Sequence, residues 1–464
     1  MVNWEGMLRF LPEVNKPTAK RLSFNTKLKW TAVILVTYYI FSHIPLFGLG
    51  QNALQQFEQL SIILGASFGS IISLGIGPIV TASIILQLLN GAQLLGIDTT
   101  TPEGQKKFQA LQKVTILFFI VFEAFIYVFM GGLAPEPGLA GTAIYLPLQL
   151  MLVFQLFLGG YIIVLMDEVI NKWGFGSGVS LFIAAGVSNQ IFVRALNPLP
   201  SPTNPDVPAG VIPFLLKALQ MGDSIGAIIA IATLASTALV FFVVVYGQAM
   251  KVEIPLSFGR MRGYGIRWPL RFIYASNIPV ILIAALMANI QLWGQLLQKA
   301  GHPILGTFSG AQPVSGLVRW IQSPDIVTPI FAGTFTGAIL VQAVIYGAIM
   351  ILGSVVFSVL WVKTANMDAS AQAKQIMASG LQIPGFRRDP RVLESILNRY
   401  IPGLTVMGGA FVGFLAALAD LGNALSRGTG ILLAVMIVYR MYEEIAKQHA
   451  FDMHPALRKV IEAD

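Results

Sequence analysis

Cysteine is absent from the chain. That excludes disulfides and thiolate metal ligands, and it leaves the redox compartment unmarked. Charge is scarce too: only 11% of the 464 residues are Asp, Glu, Lys or Arg. So thin a charged surface cannot solvate a soluble domain of this size. Histidine occurs four times. His449 and His454 fall in a polar tail, at a spacing that does not stack them on one helical face. There is no HExxH motif, no P-loop, and no pair of aspartates inside an apolar run. An enzyme reading has no catalytic set to rest on, and no cofactor or metal is implied.

What is abundant is apolar length. Hydrophobic residues make up 55% of the chain and the mean hydropathy is +0.72. A β-barrel would show short alternating strands, whereas these runs are continuous. About 20 apolar residues suffice to cross a bilayer as a helix. Ten such runs occur, near 30–47, 71–92, 114–132, 146–166, 179–194, 225–246, 272–293, 329–361, 401–419 and 429–445. The eighth is longer than one crossing needs. The first 29 residues are too charged for a signal peptide, and no small-residue cleavage site follows. Within them Trp4, Met7, Leu8 and Leu11 share one face of a helix suited to lie on a membrane surface.

Ten spans place both termini on the same side. Of the 30 Lys and Arg, 25 belong to the termini and the loops after even-numbered spans. Arg194, Lys217, Lys299, Arg319 and Arg427 lie on the other side. The positive-inside rule then makes both termini cytoplasmic, in a multi-pass protein of the cell membrane. Two loops of that side, 247–271 and 363–399, are long and basic. Their charges either fix topology alone or dock on phosphate-rich surfaces, ribosomal RNA and anionic lipid heads being the candidates. Glu123 is the one acid near the middle of a span, and a carboxylate there needs partners. Asp167 and Glu168 sit at the watery end of span four. Ion-driven transporters use more ionisable groups at the midplane.

The stretch GASFGSIISLGIGPIV, residues 65–80, has four glycines and a proline where an anchoring span would be unbroken. It continues as GIGPIVTASIILQLLNGAQLL. With PEVNKPTAK near the N-terminus, IPLFG at 44–48, WGFGSGVSLFIAAGV at 173–187, SNIPVILIAALMANIQLWG at 276–294 and GTGILLAVMIVYRMYEE at 428–444, it resembles the SecY family. SecY is the pore subunit of the Sec protein-conducting channel. The resemblance runs along essentially the whole chain, closer to the archaeal and eukaryotic branch.

The resemblance implies an all-α fold of ten transmembrane helices in two inverted five-helix halves around a central pore. By eye the sequence itself shows no repeat. The halves would be 1–196 and 211–464, with the Pro-rich 197–210 as hinge linker. A plug, Glu58 to Phe68 with Leu60, Ile62, Ile63, Gly65 and Ser67, would close the pore, and Gly69 to Gly75 would be its flexible link. Ser67 stands where relatives often carry arginine, so that position brings no charge to the plug. A kinked but inert helix is the alternative. The constriction would be Ile76, Val80, Val179, Ile183, Ile281 and Leu433, aliphatic groups that close a narrow ring by dewetting. Two i, i+4 pairs, 76/80 and 179/183, each present one helical face. Taken singly, each is ordinary packing.

Thr81, Glu123 and Asn289 match polar positions of the family's lateral gate between spans 2, 3, 7 and 8, or simply glue helices. Lys251, Arg260, Arg262, Arg387 and Arg388 would dock the ribosome. Further implied partners are a small clamp subunit (SecE or gamma), a single-span Sec beta subunit, the nascent polypeptide with its signal sequence, and membrane lipid; no DNA. The expected function is passage of unfolded secretory polypeptides across the membrane, and sideways release of membrane segments. A secondary transporter for a small solute is the rival, since it too uses inverted repeats and broken helices.

Overall fold

The computed structural model describes residues 13–18, 22–50, 69–91, 94–97, 101–129, 132–200, 206–258, 265–276, 278–299, 301–309, 312–378, 381–382, 389–426 and 428–453. The expected surface helix at 4–11 and the plug residues Glu58, Leu60, Ile62, Ile63, Gly65, Ser67 and Phe68 lie outside the described residues. So do Arg260, Arg262, Arg387 and Arg388.

Each of the ten apolar runs contains a helix. The first five are α1 (Phe24–Ser42), α2 (Gly77–Gly91), α3 (Pro102–Phe129), α4 (Tyr145–Trp173) and α5 (Gly178–Leu196). A short α6 (Val211–Met221) follows the Pro-rich connection and was not expected. Then come α7 (Ser224–Ala249), α8 (Ile278–Lys299), α9 (Leu317–Trp320), α10 (Val327–Phe331), α11 (Gly337–Thr364), α12 (Ala369–Ala378), α13 (Pro390–Leu421) and α14 (Gly428–Met453). Starts carry side-chain caps where the sequence offers them. The Asp223 carboxylate accepts from the Gly226 amide at 3.0 Å, and Asp389 from Arg391 at 2.9 Å, satisfying amides that a helix start leaves open.

Seven of these helices are long and apolar enough to cross a membrane. The other three spans fall short for readable reasons. Helix α2 has only 15 residues because the chain before it is unwound. Helix α1 starts with Lys27 and Lys29, and α14 turns polar after Arg440. The overlong eighth run splits: α10 ends at Phe331, Gly333 adopts φ +69°, and α11 restarts at Gly337. Only glycine takes that left-handed turn freely.

Packing repeats between the halves. Helix α1 packs on α4 and α5, as α7 packs on α13 and α14. Helices α2 and α3 pair as do α8 and α11; α3 and α4 as α11 and α13; α4 and α5 as α13 and α14. Five spans per half is an odd number, so the second copy runs through the bundle in the opposite sense. The Pro-rich connection is pinned at its ends, where Gly210 N–H donates to the Asn197 carbonyl and Ala209 to Leu199, both at 2.8 Å.

The two basic loops fold together into one unit, which the sequence reading did not anticipate. Strands β1 (Lys251–Phe258) and β2 (Gly265–Arg271) form an antiparallel hairpin. From the second loop, β5 (Leu381–Gln382) adds to the other edge of β1. A two-stranded β3–β4 pair (Phe308–Ser309, Gln312–Pro313) lies elsewhere. Ile254 and Leu256, on one face of β1, join Leu270, Ala373, Ile376, Leu393 and Leu397 in a core separate from the bundle's. Pro255 is tolerated because β5 pairs with β1 only at Ser257 and Phe258, leaving that edge open at 255.

Both described ends of the chain meet beside this unit. The Gln448 amide donates to the Leu22 carbonyl at 3.0 Å, and the rings of Phe24 and His449 stand 5.5 Å apart. An even number of crossings requires that arrangement.

Candidate functional site

Four helices deliver their first two turns to the middle of the bundle. Ile76 precedes α2 and Val80 lies in its first turn; Val179 and Ile183 open α5. Ile281 lies in the first turn of α8, and Leu433 near the start of α14. Four of the six side chains belong to one continuous apolar core, and the other two border it. Ile76 and Ile183 are each 1% exposed, Leu433 4% and Val80 7%, while Val179 and Ile281 are half-buried and pack against it. All six are aliphatic and so offer water no hydrogen bond; α2 packs on α8, α8 on α14, and α14 on α5.

The backbone at 69–75, expected as a flexible link, is irregular and hydrogen-bonded to its neighbours. Leu46 N–H donates to Gly69 O at 2.7 Å, and Ile71 N–H to Ile44 O at 3.0 Å. Successive turns follow, Ser73 to Ser70, Gly75 to Ile72 and Gly77 to Leu74, with Gly69 at φ +88° and Gly75 at φ +54°. Residues 72 to 80 are all buried. Non-helical backbone at membrane depth persists only when it is buried in protein or lines water. Here α4 covers it. A Cβ on Gly159 would stand 1.8 Å from the Ile71 carbonyl oxygen, and one on Gly160 would stand 2.9 Å from the Ile120 side chain. Sequence reading passed over this Gly159–Gly160 pair, and a glycine pair inside a long span was the signal for a close backbone approach.

The halves meet along two lines. On one, α5 packs along α14 and α1 also touches α14. There the Ser426 hydroxyl donates to Gln190 Oε1 at 2.9 Å. On the other, α2 packs on α8 and α11. The Asn289 amide of α8 donates to the Thr81 hydroxyl of α2 at 3.3 Å. Glu123 of α3 is half-buried, within side-chain hydrogen-bonding reach of Thr81. The three polar residues expected together are therefore together, and the rings of Phe122 and Trp293 meet beside them at 6.3 Å.

Of the basic residues singled out, Lys251 is described. It pairs with Glu253 at 3.1 Å, and Glu253 also pairs with Arg267 at 3.2 Å. Those two cations, Lys251 first, hold the exposed Glu253 carboxyl below its usual range. Arg271, at the hairpin base, pairs with Glu443 of α14 at 2.5 Å, tying the sheet to the last span. At the same end, Glu13 pairs with Lys172 at 2.8 Å and Glu168 with both Lys113 and Lys172, at 2.9 and 2.8 Å. The Trp173 indole N–H donates to the Asn15 carbonyl at 2.9 Å, so residues 13–15 lie strapped across the ends of α3 and α4.

Residues 70–442 match the SecY family profile. The protein translocase subunit SecY of Methanothermobacter thermautotrophicus is 47% identical, over 99% of this chain and 98% of the relative. A solved structure of a protein-conducting channel superposes with a TM-score of 0.82 at 40% identity, covering 97% of this chain and 98% of the other. Sec61 in a canine ribosome–channel complex from the endoplasmic reticulum superposes at 0.80 with 39% identity, over 97% and 98% of the two chains.

Proposed function

This chain belongs to the SecY family and is an integral multi-pass membrane protein that forms a protein translocation channel; from that premise we propose how its residues divide the work. Ile76, Val80, Val179, Ile183, Ile281 and Leu433 form the ring through which unfolded polypeptide passes. The observation that carries this is their convergence, from four separate helices, on one apolar core. Aliphatic walls hold no ion and bind no particular side chain, so they seal at rest and yield to varied sequences. The plug reading for Glu58–Phe68 rests on the resemblance and on its position directly before the braced turns at 69–76.

The seam of Thr81, Glu123 and Asn289 is the lateral gate. It lies on the side where the halves share the smaller contact, so parting there disturbs least. The 197–210 connection and the α5–α14 contact form the hinge opposite. The sheet unit lies on the cytoplasmic side with both termini, by the distribution of basic residues. Since a relative sits in a ribosome–channel complex, the ribosome docks on that unit, with Lys251, Arg260, Arg262, Arg387 and Arg388 as its basic contacts. SecE or gamma and Sec beta subunits complete the assembly. The family match leaves the solute-transporter reading without support.

The test is electrical. Replacing Ile76, Ile281 and Leu433 together with Gly should raise ion leak of the resting channel in planar bilayers. A conductance equal to that of the parent would remove the ring.

A further inference from the structure

Helix α5 begins without help from its own cap. Ser177 occupies the N-cap position but its side chain makes no capping bond. The amides at a helix start need acceptors, and one comes from the preceding helix. The Asp167 carboxylate of α4 accepts the Val179 N–H at 2.9 Å and bonds the Gly178 N–H as well. Its second oxygen accepts from the Asn171 amide at 3.0 Å. The approach is close: a Cβ on Gly178 would stand 2.6 Å from the Asp167 Cα.

The turn between the two helices is pinned from a third. Phe175 N–H donates to the Thr31 hydroxyl of α1 at 3.0 Å, and a Cβ on Gly174 would stand 2.9 Å from that oxygen. Gly176 supplies φ +68° between them. The glycines of WGFGSG therefore serve one purpose, to bring the start of α5 against Asp167. The amide that Asp167 holds belongs to Val179, and Ile183 follows one turn later on the same face. A negative charge at a helix N-terminus also suits the helix dipole.

We propose that Asp167 is a positioning residue of the constriction, fixing the height and rotation at which α5 presents Val179 and Ile183. This rests on the reading of those two residues as ring members. Loss of the carboxylate frees the first turn of α5, while Ile76 and Val80, held by the braced turns before α2, stay in place.

The cysteine-free chain allows a direct test in the full channel in proteoliposomes. Ile183→Cys and Ile76→Cys are introduced singly and labelled with a membrane-impermeant maleimide. Asp167→Ala should raise the labelling rate at 183 about fivefold, the factor an ordinary helix cap supplies, and leave 76 unchanged. Asp167→Asn, which keeps an acceptor oxygen, should restore the parental rate. If the Ala variant fails to assemble, Gly178→Ala presses a methyl on the same contact and should give the same pattern. An unmoved rate at 183, or an equal rise at both positions, overturns the proposal. A stalled translocating chain should protect the Ile183→Cys thiol when Asp167 is intact. Absent protection removes the ring reading, whereas protection with an unmoved Asp167→Ala rate removes only the positioning role.

Discussion

Gly159 has no side chain, and the Ile71 carbonyl oxygen occupies the place where one would stand. The obstacle is backbone, which cannot swing aside, and that backbone leads into Ile76. Gly159→Ala must therefore shift α4 or the turns at 69–76. Overpacking of this kind costs roughly 1–3 kcal/mol. We expect a lower melting temperature of the purified protein. Gly160→Ala should be milder, since it meets only the side chains of Ile120 and Leu74, which can rotate. Equal melting temperatures for the parent and Gly159→Ala would show that α4 does not brace the segment.

At the scale of elements, residues 13–15 and the ends of α3 and α4 are joined chiefly by charge. Glu13 is hydrogen-bonded to Lys172, and this bond holds its carboxyl below the ordinary value of 4.5. A carboxylate lowered on docking strengthens the docked state fully above its free value and loses that contribution as pH falls through the docked value. Amide exchange at Val14, corrected for intrinsic rates, should stay slow at neutral pH and quicken below about pH 4.5. Glu13→Gln should reduce the pH dependence without abolishing it, because the Glu168 carboxylate accepts the Val14 N–H itself at 3.4 Å. The sheet unit is a different kind of element. The alternation in KVEIPLSF, with Ile254 and Leu256 inward, is a strand signal that a chain rich in apolar helices obscures. Its third strand comes from residues 381–382, more than a hundred positions away, and no local pattern announces that pairing.

At the scale of the whole molecule, the two unequal contacts between the halves are the basis for proposing which side parts. Short bifunctional maleimides can lock either one, since no native cysteine competes. Linking Thr81→Cys to Asn289→Cys should block insertion of a membrane segment. Linking Gln190→Cys to Ser426→Cys, on the α5–α14 side, should leave insertion and translocation near parental levels. Loss of insertion with the second link, or none with the first, would reverse the assignment of gate and hinge.

The sequence by itself determined the membrane class, the ten crossings and the likeness to a known channel, because these depend on local composition and on runs of about 20 residues. It also named the six residues proposed for the ring and the three proposed for the seam, through motifs whose order along the chain survives. It did not reveal the repeat between the halves, since a repeat of packing needs only apolar faces of the right shape and leaves residue identities free. Nor did it show that 69–76 is braced, that two basic loops share one sheet, or that Asp167 begins α5. Each of those depends on groups distant in sequence or on the direction of one side chain in a turn. Hydrogen bonds and close glycine contacts of that kind exist only once the helices have packed.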